Sequence, residues 1–426
     1  MKNSKNIFAQ ILLCSLTAFF VLGSLGCEDP LDVENPNSLV EVDLENPIAA
    51  AAIANGALAT VSDGIGYVIA PYSTATDECF WIGSRDAWRE LDFGNVSFSG
   101  NEFTDNAMKF LHEGRWMADK AVVALTEFQT NGELGDVEDL ARSHLYAGLV
   151  RIAIAEWFDD WTFSDKTEPA PNVGAANMNS VINDAIASFD QAMSIAGSGT
   201  ETYNRALAMK ARAKHGLAVW GLLNPAGTTP ANPWVNAGVA EAQAVLDAVG
   251  DDWQWQLNYS PSASYNDWAW QVNGRLELDI SAIPNDIIDA VADPRMQAVN
   301  DDFRDTDKYS GTNYAPLTMV SSREMHLIIA ESDVASGSAA AALDRLNTMR
   351  SWDGLTASDG SVSAEDLLKH ERRANLFMQG RRLNDMYRFG IKDALWQTNS
   401  NAYTTPGDLL DLTDAELQSN PLARDR

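Results

Sequence analysis

Ala107, Leu111, Gly114, Ala118, Ala121, Leu125 and Phe128 recur at alternating steps of four and three residues. On an α-helix that spacing draws one small or apolar stripe down a single face; a strand, whose side chains alternate every two residues, cannot use it. A long helix ending near Gly132 is therefore predicted. Ile182, Ile186, Phe189 and Met193 draw a second stripe. Between the two, LYAGLVRIAIAEWF is apolar nearly all round, which predicts a helix buried in the middle of the fold. In YNRALAMKARAKHGLAVWGLL, Leu207, Ala211, Ala218 and Leu222 line one face, and Met209, Ala213, Gly216, Trp220 and Leu223 line the opposite one. Such a helix needs a neighbour on both sides.

Further on, SREMHLIIAESDVA and AAALDRLNTMR read as two short amphipathic helices joined by Ser336-Gly337-Ser338, a tight helical hairpin. Two-sided helices and helical hairpins together predict an all-α fold of tetratricopeptide-like stacked hairpins, although the repeat of about 34 residues is not visible. From about 224 to 321 the composition turns to Pro, Gly, Asn, Asp and Trp. This stretch is expected to be a loop-rich ligand region inserted between helical core segments at about 103–223 and 322–390.

The chain carries 60 acidic against 30 basic side chains, a formal net charge of -30. Such a surface repels a phosphate backbone, so nucleic acid is excluded as a partner. The opening MKNSKNIFAQILLCSLTAFFVLGSLGC places Lys2 and Lys5 before an apolar run and small residues before a cysteine. This is an export leader over 1–26, with Cys27 as the candidate lipidated residue and 27–426 as the mature domain. The placement looks like a bacterial lipobox, with Ser24 where Leu is usual. No later segment is read as apolar for the length of a bilayer, so the membrane is expected to be reached through the N-terminal lipid only. Once the leader and Cys27 are set aside, Cys79 is the only thiol, and no internal disulfide can form.

HERRANLFMQGRRLNDMYRFG, His370 to Gly390, concentrates five arginines. On a helix beginning near Ala364, Leu367, Glu371, Ala374 and Met378 share one sector, which puts the Glu371 carboxylate in an apolar stripe. It needs a partner. A turn at Gly380 and a second short helix place Arg381 and Asp385 at i, i+4, and Asp385 and Arg388 at i, i+3. Arg372, Arg373, Arg382 and Arg388 are thus expected, with Arg381, to donate to Glu371, Asp385 and helix carbonyls in a structural ion-pair cluster. A functional anion site is the rival reading.

The same stretch resembles the C-terminal signature of the SusD/RagB family, ERR-x-E-L-x-x-E-G-x-R-x-x-D-L-x-R-x-G. Glu371, Arg372, Arg373, Leu376, Gly380, Arg382, Asp385, Arg388 and Gly390 match it, while Asn375, Gln379 and Met386 depart from it. REMHLIIAESDVASGSAAAALDRLNTMR, DAELQSNP, LDVENP and the helix running to WFDDW are similar to further family features. The resemblance implies a nutrient-binding surface lipoprotein, facing outward from the outer membrane. Its partner would be a SusC-like TonB-dependent barrel, to which it delivers a captured oligosaccharide or, in one branch, a peptide.

The signature does not name the ligand, so the loops must. Thirteen tryptophans are available for stacking on sugars. Trp116, Trp157 and Trp220 are expected in the core. Trp81, Arg85, Asp86 and Trp88 lie in FWIGSRDAW, outside helical periodicity. Trp253 with Trp255, and Trp268 with Trp270, form two W-x-W units that one hairpin about Pro261-Ser262 would bring to one face. Asn266 and Asp267 are candidate hydroxyl partners on that hairpin, which serves either as a ligand platform or as packing against helices. Two other classes stay open: a helical glycosidase, with Asp159, Asp160, Asp251 and Asp252 as nominal carboxylates, and a purely structural surface protein, whose loops would have no accessible aromatic platform. No nucleophile or phosphate motif is present, and His112, His144, His215, His326 and His370 lack ligand spacing. Neither catalysis, nor a cofactor, nor a metal is expected.

Overall fold

The computed structural model describes residues 44–166, 168–261, 264–304 and 314–423. The leader and Cys27 lie outside the described residues.

Helices α1 (Ala50–Thr74), α2 (Asp86–Asp92), α3 (Glu102–Asn131), α4 (Val137–Trp157), α5 (Asn179–Ala196) and α6 (Glu201–Leu223) form the first part of the chain. Next come α7 (Val239–Ala248), α8 (Pro294–Arg304), α9 (Ser322–Ala335), α10 (Ala339–Trp352), α11 (Ala364–Asn375), α12 (Arg382–Phe389) and α13 (Asp414–Ser419). The long helices stack in order: α1 on α3, α3 on α4, α4 on α5, α5 on α6, α6 on α7, α7 on α9, and α9 with α10 on α11. The fold is all-α. Two short antiparallel ribbons complete it, β1 (Cys79–Trp81) with β3 (Leu278–Ile280) and β2 (Gln254–Leu257) with β4 (Leu317–Ser321).

The stripe on α3 is buried from Ala107 to Phe128 as its spacing requires. Asn101 starts the helix by accepting the amide hydrogens of Phe103 and Thr104, a cap that contributes roughly 1 kcal/mol. Gly132, at φ 74, ends it in the left-handed conformation that side chains avoid. A Cβ on Gly114 would stand 2.8 Å from the Thr60 carbonyl oxygen, and one on Gly64 would stand 2.9 Å from the Leu111 Cα. These two glycines let α1 and α3 cross with their backbones in contact. Helix α6 buries Leu207 and Ala211 on one face and Met209 and Ala213 on the other, between α5 and α7.

Pattern reading gave no helix to residues 50–74 and no later segment of membrane-spanning length. Pro47–Thr74 is both helical and, by length and composition, apolar enough to cross a bilayer. Here Ile53, Val61, Ile65 and Val68 are fully buried, and the helix packs on α3 and α4. It is a core helix of this fold.

Signature residues hold α11 and α12 in place: Asp385 takes arginines as expected, while Glu371 and Arg381 find other partners. Glu371 is fully buried and is paired by Arg295, from α8, and by Arg350, from α10, at 2.9 Å. None of the five signature arginines pairs with it among the described residues. Arg372 binds Asp385 at 2.9 Å, Arg373 and Arg382 both bind Asp77, and Arg381 binds Glu324 at 3.1 Å rather than Asp385. Arg388 bridges Asp385, at 2.8 Å, and Glu331. Burial alone would raise the Glu331 carboxyl, yet Arg388, His215 and Arg372 hold it well below the usual carboxylate range. The arginines are therefore cross-links between helices, and breaking one would strand its partner's charge in the core.

Candidate functional site

Strand β2 alternates as a half-buried strand should: Trp255 and Leu257 point inward, while Gln254 and Gln256 point out. Its partner is β4, with Trp255 opposite Val320, and a bulge between Trp255 and Gln256 turns the outward face. That face forms one wall of a cleft of about 720 Å³; α8 and the turn after α11 form the others.

The cleft is lined by amides and acids, by apolar residues that include Val299, Phe303, Leu317 and Phe377, and by one part-exposed indole, Trp253. Gln256 donates to Thr318 at 3.1 Å. Arg323 also reaches the cleft, but both its terminal nitrogens are held by Asp353, at 2.7 and 2.9 Å, and one also donates to Asn375. Arg295 is likewise engaged by Asp293 and Glu371. The cations of the cleft are spent on internal partners. Two other groups are not: the Trp253 Nε1 donor and the Gln379 Oε1 acceptor are buried without a hydrogen-bond partner among the described residues. Asn375 and Gln379, two of the three departures from the family signature, both stand on this wall.

The tryptophan hairpin does not form. Trp253 and Trp255 lead into and enter a strand, but Trp268 lies in the helical turn Asp267–Ala269 and Trp270 opens the wider turn Trp270–Gly274. Asn266 caps that turn, accepting the Ala269 amide and donating to the Ala315 carbonyl at 2.6 Å. Asp267 is buried, bonded to Gln271 at 3.1 Å, and burial pushes its carboxyl up to about 6. Trp88, Trp255 and Trp268 are 0%, 4% and 0% exposed, so they offer no face for stacking and belong to the core. Trp88 stacks on Phe103 at 3.9 Å.

Trp81, Arg85, Asp86 and Trp270 remain outside both the core and this cleft. Trp81 lies part-exposed on β1 under the Arg89 guanidinium, 5.7 Å from its ring centre. Arg85 pairs with Glu102 at 3.3 Å, Asp86 pairs with Arg89, and Trp270 packs against Gly274. The nominal glycosidase acids serve the backbone: Asp159 accepts the Leu409 amide, and Asp160 those of Trp161 and Gly174. Asp251 and Asp252 are exposed at the cleft rim.

Asp286, Asp293 and His370 bring three potential metal donors within 4.8 Å of one another. Arg350 binds both oxygens of Asp286 and Arg295 binds both of Asp293, so a cation would meet two guanidinium groups there. Burial would raise both carboxyls; the arginines, with His370 on Asp293, hold them far below the ordinary range instead. The cluster is a poor cation site and a good ion-pair lock.

No family model matches the sequence, and no curated protein matches it either. Solved structures do match. A SusD superfamily protein from Bacteroides vulgatus is 13% identical, with a TM-score of 0.61, covering 89% of this chain and 98% of its own. One from Parabacteroides distasonis is 13% identical with a TM-score of 0.61, covering 91% and 99%. A Bacteroides vulgatus protein whose name proposes sugar binding is 12% identical with a TM-score of 0.55, covering 91% and 98%. The chain has the SusD-like fold over nearly all of its described length.

Proposed function

We propose that this chain is a SusD/RagB-type binding protein that captures a neutral oligosaccharide in the cleft and does not cleave it. It passes the ligand to a SusC-like TonB-dependent barrel while Cys27 anchors it by lipid to the outer face of the outer membrane. The observation that carries the ligand class is the pair of unpartnered groups in the cleft, Trp253 Nε1 and Gln379 Oε1. One donates and one accepts, and a sugar hydroxyl can answer both. The part-exposed Trp253 ring supplies an apolar face for the C–H side of a sugar. Acids at the rim and arginines already paired disfavour an anionic ligand.

Calorimetry of the soluble mature chain against a panel of neutral glycans and peptides tests this reading. Trp253→Ala is expected to lose glycan affinity tenfold or more with little change in melting temperature. Trp255→Ala, two residues away, is expected to cost about 3–5 kcal/mol of stability, because it empties a core position. Binding of peptides alone, or release of products from any glycan, would overturn the assignment.

A further inference from the structure

A second cavity, of about 730 Å³, opens between α3, α13 and the loop at 164–166, and shares no lining residue with the cleft. Met108, Met117 and the Trp116 ring form its apolar wall. The ring is held upright: its Nε1 donates to Asp165 at 2.6 Å, Lys120 binds the other oxygen of that carboxylate, and the Lys166 ammonium lies 4.5 Å from the ring centre. His112 and Arg115, at i, i+3 on α3, face the same cavity.

Both carry a polar atom that is not satisfied. The His112 ring stacks on Trp161 at 4.1 Å, and its Nε2 is buried with no hydrogen-bond partner among the described residues. Arg115 uses its terminal nitrogens on the Ser164 carbonyl and on Asp119, leaving a buried Nε–H without a partner. Burial, with Arg115 adding to it, holds the His112 imidazole down to about 4 against the pull of Glu416, so the ring is neutral near pH 7. A neutral Nε2 can accept or donate; the Arg115 Nε–H can only donate. Buried groups left in this state carry a desolvation cost that a suitable ligand would return.

An amide supplies a carbonyl acceptor and an N–H donor side by side, and methionine walls adapt to apolar side chains of varied shape. Met108, Met117 and the Trp116 ring offer contacts to an apolar side chain, while Asp105, Lys109, Glu113 and Glu416 also line the cavity. We propose that the cavity is a second binding site, for a short apolar peptide. Its amide bonds Arg115 Nε and His112 Nε2, and its side chain lies between Met108, Met117 and Trp116. This site does not depend on the glycan reading of the cleft.

The probe is N-acetyl-leucinamide, titrated into the full mature chain with ¹³C-methyl methionine while the Met108 and Met117 methyl resonances are followed by NMR. Saturable shifts at both are expected, unchanged in Trp253→Ala. His112→Phe keeps the stack on Trp161 but removes Nε2, and should weaken the amide at least fivefold at an unaltered melting temperature. Should that variant fail to fold, Met117→Glu, which places a charge on the apolar wall, must weaken the amide as much. The proposal is overturned if the two resonances stay still, if they respond to maltotriose and not to the amide, or if the folded variants bind as the parent does.

Discussion

The arginine-rich end of the chain and the cleft beside it share a helix, yet they treat buried polar groups in opposite ways. Around Glu371 on α11, the side chains of Arg350, Arg295, Asp286 and Asp293 bond it and one another. In the turn after α11 and across the cleft, Gln379 keeps an unanswered oxygen and Trp253 an unanswered N–H among the described residues. The first arrangement spends its polar groups on holding helices together. The second leaves a donor and an acceptor beside a cleft, where a molecule that arrives from outside can meet them.

Breaking the Glu371 cluster should give the largest effect. Glu371→Ala leaves two buried guanidinium groups short of a partner and is expected to cost about 5 kcal/mol, the top of the range for a severed buried pair, read by chemical denaturation. Glycan affinity of the fraction that folds should hardly change; loss of binding at an unaltered melting temperature would instead make the cluster a functional anion site.

Glu78 sharpens the comparison, because it lies next to Asp77, which two arginines pair, while among the described residues its own Oε2 has no partner and its Oε1 accepts the Met378 amide. Burial pushes its carboxyl up to about 7 from an ordinary 4.5. A proton held longer in the folded state than in the unfolded one makes folding most favourable below pH 4.5, with the benefit lost as pH climbs through 7. Glu78→Gln should remove that slope and, above pH 7, stabilise the protein by roughly 3 kcal/mol. Melting temperatures measured from pH 4 to 8 for both proteins check it. Asp92, which burial also raises to about 7, contributes a slope of the same sign that the variant retains.

The smallest effect belongs to the cleft. Gln379→Met keeps the side-chain length and removes the unanswered acceptor together with the Nε2 bond to the Asn375 carbonyl, so glycan affinity should fall about tenfold, near 1.4 kcal/mol, with stability changed by about 1 kcal/mol or less. Calorimetry and a thermal melt on one sample decide it; a loss of stability with affinity intact would place Gln379 on the scaffold side.

Much of this organisation was legible in the sequence. Helix α3 could be read residue by residue, since seven positions fix a period of 3.6, and the α9–α10 hairpin was marked by a Gly337 that adopts φ 75. The W-x-W units failed for the converse reason: two tryptophans two residues apart do not establish a period, and the Asn266-Asp267 cap ahead of Trp268 was the stronger local signal. Helix α1 escaped notice because, buried along much of its girth, it draws no narrow stripe. For Glu371, the sequence showed that a partner was needed but not which one. Arg295 stands 76 residues away and comes within reach only through the stacking of the array. The second cavity was hidden in the same manner, since Trp116 was assigned to the core and its exposure depends on where α13 returns.

The end of α4 shows one further consequence of how the chain is closed. Trp157 donates its indole hydrogen to the Gly380 carbonyl, and its own carbonyl accepts the amide of Leu410, whose carbonyl in turn accepts the amide of Asp159. A central helix is thus finished by residues made more than two hundred positions later. A chain made N-terminus first carries the end of α4 with these donors and acceptors open until Gly380 and Leu410 arrive.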